Sequence, residues 1–413
     1  MHIKKSLLLP LMLFSTAILY AQEQRKVVYI IADGISADVI EQAQTPNLRE
    51  ISTQGSYLRV YQGGEAGAYN ESPTISAVGY NNILTGVWYN KHNVPDNNIE
   101  APNYHYPSIF RVLKDAYPEK TIGIFSSWQD NRTKLIGEGL PATGNIQMDY
   151  AFDGLELDTL RYPHDKERQF MSVIDQAVSE NAAKTIQEEG PDLSWVYLEF
   201  TDDMGHMHGD SPAYSAAVEK MDAQVGLIWQ AIKKRAADTG EDWMIMITTD
   251  HGRDEKTGKG HGGQTFRQRS AWLVCNKVLE NPYSRYGKPS VVDLYPTIAN
   301  FLNIEIPKES LWELDGVTLM DDIAIAHPQA YYFQEQLDIS WTALDDNGEV
   351  NIWISTTNNK KTGGSDHYQH IGAFPLRDKH AVIPVKDYPS DFYKVVLETE
   401  KNTVNRWIVN DSH

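Results

Sequence analysis

Four apolar, β-rich runs in the first two-thirds of the chain each stop abruptly at polar residues. VVYII ends at Ala32-Asp33-Gly34, TIGIF at Ser126-Ser127-Trp128, WVYLEF at Thr201-Asp202, and MIMI at Thr248-Thr249-Asp250. Near-continuous apolar runs of this length fit strands buried on both faces of a parallel sheet. Helical periodicity lies between them. From Pro212 to Ile232, apolar residues recur at Tyr214, Val218, Met221, Val225, Ile228 and Ile232, with Glu219, Lys220, Asp222 and Gln224 on the other sides. Spacings of four and three mark one helix face. The alternation predicts an α/β fold, a mostly parallel sheet with helices on both faces. Ligands of such folds gather at the carboxyl ends of the strands, and three of the four runs deliver an aspartate there.

From about residue 331 the texture changes to alternating or β-branched runs such as DISWTALDDNGEVNIWIST and FYKVVLETEKNTVNRWIV, with turn signals at Asp346-Asn347-Gly348 and Gly363-Gly364. A small all-β, sandwich-like domain over 331–413 is expected, after a main domain over 22–330. Its Trp341, Trp353, Tyr368 and Trp407 fit a core, with docking of a glycan or partner as the alternative.

Residues 1–21 read as a secretory signal peptide: a basic start, the apolar run LLLPLMLFSTAILY, and Ala21 before polar QEQRK. An exported protein, periplasmic or secreted, is expected, with no membrane span once the signal is removed. Cys275 is the only cysteine, so an intrachain disulfide is excluded and a buried inert thiol is expected. The net charge is −19, from 37 basic and 56 acidic residues. Such a surface repels nucleic-acid backbones, which argues against a duplex as partner.

The chemistry gathers at the strand ends. Asp250 and His251 offer carboxylate oxygen and imidazole nitrogen, both common zinc ligands. The segment TDDMGHMHGDSP repeats that offer with Asp202 and His206 in a D-x-x-G-H-x-x-G arrangement, whose glycine would let the backbone turn closely between them. His208 and Asp203 compete, and the strand-end position favours Asp202. Asp33 closes the first run, and His261 stands in the glycine-rich GKGHGG. Six such ligands suit two metals, each with room for substrate. For a nucleophile, NESPTISAVGYNNILTG supplies Thr74, Ser76 and Thr85.

As a group, VVYIIADGI with TPNL, SAVGYNNILTG, DDMGHMHG, TTDHGR and VVDLYPTIANFL with LDGVTL resemble the alkaline phosphatase superfamily, in its nucleotide pyrophosphatase/phosphodiesterase branch, from Val27 to about Leu319. The resemblance implies an alkaline-phosphatase-like fold and two Zn2+ ions. Setting the family's Thr-Gly on Thr85-Gly86 puts the nucleophile on Ser76. Asp202, His206 and His261 would hold one zinc, and Asp33, Asp250 and His251 the other, together with the Ser76 oxygen. The resemblance also points to Asn97, at the spacing from Ser76 where some relatives place an asparagine, as a donor to the phosphoryl oxygens, with a plain turn residue as the other reading. Ser76 would attack phosphorus in line and form a covalent phosphoseryl intermediate.

The expected substrate is a small phosphate ester, nucleotide or glycan-linked, with a diester favoured. A monoesterase branch carries Lys-x-Arg after the strand matching TIGIF, and SSWQDNRTK lacks that pair. Arg132 or Lys134 would have to stand in, which keeps an alkaline phosphatase-type monoesterase as the alternative. Trp128 and Arg132 are the further substrate-contacting candidates. Tyr80, Trp88 and Tyr89 could stack on a base or sugar, though packing is the simpler reading. A sulfatase would have to use unmodified Ser76, because the Cys/Ser-x-Pro-x-Arg signature is absent. A non-catalytic, metal-stabilised binding protein is the remaining reading.

Overall fold

The computed structural model describes residues 24–409; the signal-peptide assignment lies outside them. Seven strands form the central sheet: β1 (Arg25–Ala32), β2 (Ser56–Tyr61), β3 (Ile122–Ser126), β4 (Tyr150–Phe152), β5 (Leu193–Leu198), β6 (Asp242–Thr248) and β7 (Ser270–Cys275). Their order is β2-β7-β6-β1-β5-β3-β4. The five strands from β6 to β4 are parallel, and β7 and β2 add antiparallel pairings at one edge. All four apolar runs are therefore strands, and the parallel ones point their carboxyl ends to one side.

The alternation along β1 shows why both faces must be covered. Val27, Tyr29 and Ile31 enter one core with the helices Ser76–Thr85, Ile109–Ala116 and Leu294–Phe301. Val28, Ile30 and Ala32 enter the other, with the helices Gln169–Glu188 and Pro212–Thr239. The second of these begins where the periodicity placed it. Ser211 caps it by accepting from the Tyr214 amide, Pro212 occupies the first turn, and Gly240 ends it at φ 74°. Cys275 is buried, and burial pushes its thiol up to about 12.

The C-terminal strands stay out of the central sheet. β8 (Ile325–Phe333), β9 (Gln336–Ala343) and β12 (His380–Pro384) form one antiparallel sheet, and β10 (Glu349–Ser355), β11 (Gln369–Pro375), β13 (Phe392–Glu398) and β14 (Thr403–Val409) form another. The β8–β9 turn is made by Gln334 and Glu335, both at positive φ (48° and 58°), without the glycine that marks most such turns. The β-region core, from Leu337 to Ile408, is continuous with the face that carries the helix Ser76–Thr85. Among the described residues no helix is long and apolar enough to cross a membrane.

One local expectation is corrected. Phe200–His208 is an α-helix, so Gly205 lies inside a helix and turns no loop. Asp202 and His206 converge because they are four apart on one helix face. Glycine is needed there for another reason: a Cβ on Gly205 would lie 2.1 Å from Arg253 Cζ.

Candidate metal centre and nucleophile

Asp33 follows the last residue of β1, while Asp250 and His251 follow β6; all three are buried. Tyr80 and Tyr197 both donate to Asp33 Oδ2, the latter at 2.7 Å, and among the described residues Asp33 Oδ1 has no donor. The Gly34 amide donates to Asp250 Oδ1 at 3.1 Å, and among the described residues Asp250 Oδ2 has no donor. His251 Nδ1 lies 3.0 Å from the Gly252 carbonyl. That acceptor requires the ring proton on Nδ1 and leaves the Nε2 lone pair free. Nε2 lies 3.4 Å from Asp33 Oδ1 and 3.2 Å from Asp250 Oδ2.

The second group repeats the logic. His261 Nδ1 donates to the Thr74 carbonyl at 2.9 Å, freeing Nε2. That atom lies 3.0 Å from His206 Nε2, which is 3.2 Å from Asp202 Oδ2. One proton cannot satisfy all these contacts, whereas one cation can. The two groups adjoin, since the His251 and His261 rings stack at 3.8 Å.

Electrostatics points the same way. Burial, then the charges of Asp250 and Asp202, hold the Asp33 carboxyl well above its usual range. Burial pushes Asp250 up to about 7. Burial, then His261, pushes His251 down. Burial opposes ionisation of Asp202, but the His206 hydrogen bond and the Arg253 charge outweigh it and hold the carboxyl below its usual range. Buried carboxylate oxygens without donors are costly. Two converging N/O triads of this kind fit borderline divalent cations.

The three hydroxyl candidates separate cleanly. Thr74 Oγ1 donates to the Gly263 carbonyl and accepts from the Gly262 amide. Thr85 Oγ1 donates to the Asn81 carbonyl at 2.6 Å. Ser76, in the first turn of its helix, has its Oγ 3.4 Å from His251 Nε2. It alone of the three faces the ligand atoms. Gly79, one turn on, lets that helix approach β6: a Cβ there would meet Asp250 Cβ and O at 2.8 Å.

Asn97 is exposed, and its Oδ1 accepts from the Ala77 amide at 2.9 Å beside Ser76. Trp128 packs edge-on against Tyr80, with ring centres 6.3 Å apart. Arg132 is committed elsewhere: it pairs with Asp153 at 2.6 Å through Nε and 2.9 Å through Nη2, and with Glu138 through Nη1. Asp203 turns to Arg168 at 2.8 Å, leaving Asp202 to the cluster. Tyr80 is fully buried, and Trp88, nearly so, stacks on Tyr61 with ring centres 5.7 Å apart. Sequence reasoning missed Tyr197 and Arg253, and it met Tyr80 only as an aromatic surface. The one available signal for Arg253 was a charged residue next to the DHG motif.

The model of one protein family, type I phosphodiesterase / nucleotide pyrophosphatase, matches residues 27–271. The chain belongs to that family. An uncharacterised pyrophosphatase/phosphodiesterase of Schizosaccharomyces pombe is 24% identical over 312 residues, 70% of this chain and 58% of the relative. The chain thus spans under two-thirds of that relative's length. A crystal structure of a Bacteroides thetaiotaomicron protein assigned as a sulfatase shares the fold, with a TM-score of 0.50, 11% identity and 86% of each chain covered. The human ectonucleotide pyrophosphatase / phosphodiesterase 5 structure gives 0.48 at 15% identity, over 68% of this chain and 96% of that one.

Proposed function

We propose that this chain is an exported, two-zinc phosphoric ester hydrolase that prefers phosphodiesters or nucleotide pyrophosphates, with Ser76 as nucleophile. The observation that carries the reading is the Ser76 hydroxyl, 3.4 Å from His251 Nε2, a nitrogen that itself lies 3.4 and 3.2 Å from two buried carboxylate oxygens without donors among the described residues. Asp33, Asp250 and His251 would hold one ion, with the Ser76 oxygen, and Asp202, His206 and His261 the other. When bound, the ions supply charge that lowers the pKa of a hydroxyl or water and neutralises phosphoryl oxygens.

Ser76 Oγ attacks phosphorus in line. The Oγ–P bond forms as the bond to the leaving oxygen breaks; the Ser76 proton passes to solvent, the leaving oxygen takes a proton from water, and the phosphoryl group stays esterified to Ser76. Water then cleaves the Oγ–P bond and restores the hydroxyl. Asn97, anchored through Oδ1 on the Ala77 amide, has its Nδ2 left to donate to a non-bridging oxygen. Tyr80 and Tyr197 fix the orientation of Asp33 by holding Oδ2. Arg132 is held between Asp153 and Glu138, and Lys134 pairs with Asp130 at 2.8 Å on the surface. Two carboxylates balance the Arg132 charge and withdraw it from the second charge of a monoester dianion, which favours the diester, with Trp128 as a wall for its second substituent; the partly exposed Lys134 pair adds little to this. Residues 22–330 carry the chemistry in this reading, residues 331–413 brace them, and residues 1–21 direct export.

The test compares bis(p-nitrophenyl) phosphate, p-nitrophenyl phosphate and p-nitrophenyl sulfate as substrates. Zinc-dependent turnover should be fastest on the diester and should fall at least 1,000-fold in Ser76→Ala, about 4 kcal/mol of barrier. A preferred monoester or sulfate, or activity in Ser76→Ala, would refute the assignment.

A further inference from the structure

Arg253, two residues beyond His251, is fully buried. Its Nε donates to the Gly34 carbonyl at 2.9 Å, and its Nη1 to the Lys259 carbonyl at 3.0 Å. Its Nη2 donates to the Asp202 carbonyl at 2.8 Å and also to Asp202 Oδ1. Its own amide donates to Ser36 Oγ at 2.8 Å. Gly34 follows Asp33, Lys259 is two residues before His261, and Asp202 shares its helix with His206. One guanidinium, carried on the segment of Asp250 and His251, therefore touches the three other segments that carry the Asp and His candidates.

The fold makes room for this side chain. A Cβ on Gly205 would lie 2.1 Å from Arg253 Cζ and Nε, and one on Gly34 would lie 2.7 Å from Nη2. The Tyr214 ring covers the guanidinium at 5.7 Å, and Tyr214 Oη donates to the same Gly34 carbonyl at 2.7 Å. Holding Asp202 by Oδ1 leaves only Oδ2 toward His206 and His261.

We propose that Arg253 is the positioning residue of the metal centre. It joins the two ligand groups at a fixed spacing, makes Asp202 offer one oxygen, and thereby sets the affinity for the ions. The inference rests on the two-metal reading above. Planar, three-directional donation is a property of guanidinium that an ammonium lacks. Geometry, rather than charge alone, is what the site takes from this residue.

The test measures zinc stoichiometry and affinity of the full chain by competition with a chelating dye, beside the unfolding midpoint of the metal-free protein. Arg253→Lys keeps the charge and should bind zinc at least tenfold more weakly, with the metal-free midpoint showing that it folds. Gly205→Ala displaces the guanidinium and should weaken binding likewise, and the double variant should be no worse than the worse single one. Wild-type affinity in Arg253→Lys, or additive losses in the double variant, would overturn the proposal. So would tighter binding in Arg253→Met, because Arg253 would then act only by repelling the ions. If the wild-type chain takes up no zinc, the two-metal reading itself fails, an outcome distinct from all of these.

Discussion

Lys91 lies just past the helix that begins with Ser76, and its side chain is 0% exposed. Its Nζ donates to Asp315 Oδ1 at 2.6 Å, the Glu313 carbonyl at 2.7 Å and Asn405 Oδ1 at 3.0 Å. Asn405 belongs to the last strand, so one ammonium ties the sheet face that carries the helix Ser76–Thr85 to the C-terminal sheet. Lys394 makes a parallel link to Glu313 at 2.5 Å and Asp366 at 2.7 Å, and the two ammonium groups lie 5.0 and 4.8 Å from the Trp407 ring. Lys91→Met keeps most of the volume and removes the charge. The Asp315 carboxylate, 6% exposed, then retains, among the described residues, only the Trp88 amide as donor. Stranding one partner of a buried pair costs about 3–5 kcal/mol, and the two further lost acceptors act in the same direction. Urea unfolding should therefore show a loss of about 4 kcal/mol. The variant Lys91→Met/Asp315→Asn strands no charge and should recover at least about half of that loss. A loss under about 1 kcal/mol for Lys91→Met, or no recovery in the double variant, would refute the reasoning.

Removing the ions with a chelator should lower stability by about 4 kcal/mol per site if each had been at 1,000 times its dissociation constant, and an unchanged thermal midpoint would refute bound ions. Asp254 accepts from the Lys256, Thr257, Lys259 and Gly260 amides and the Thr257 hydroxyl. Asp254→Ala should speed amide exchange over 254–263 and weaken zinc binding through His261, while global unfolding shifts by less than about 1 kcal/mol; protected amides would refute this. Burial pushes Asp293 up to about 7 although Ser290 N, Val317 N and Tyr283 Oη all donate to it. Its folded pKa exceeds its unfolded one, so its contribution is complete below about pH 4 and is lost as pH rises through 7, roughly 4 kcal/mol in all. Asp293→Asn should flatten the stability profile between pH 4 and 8, and an unchanged slope would contradict the assignment.

Much of the fold was legible because burial imposes a local period. VVYII and MIMI had to be strands covered on both faces, and the face from Tyr214 to Ile232 had to be a helix. Parallel strands then put Asp33 and Asp250 at one edge whatever the connections were. The Phe200–His208 helix was less legible, because its glycine read as a turn. Only the neighbouring Arg253, 48 residues along the chain by number, explains why that position lacks a side chain.

Sequence by itself determined the strand–helix alternation, the change to antiparallel β texture near the C-terminus, and the residue types able to bind a cation at the strand ends. Those properties follow from the order of apolar and polar groups along a short stretch of chain. Tertiary structure decided which groups meet. It turned Ser76 rather than Thr74 or Thr85 toward His251, gave Asp203 to Arg168 and Arg132 to Asp153 and Glu138, and brought the segments of Asp33, Asp202 and His261 onto Arg253. Hydrogen-bond partners are set by distances of a few ångströms in space. Segments far apart along the chain reach those distances only after both faces of the sheet have packed.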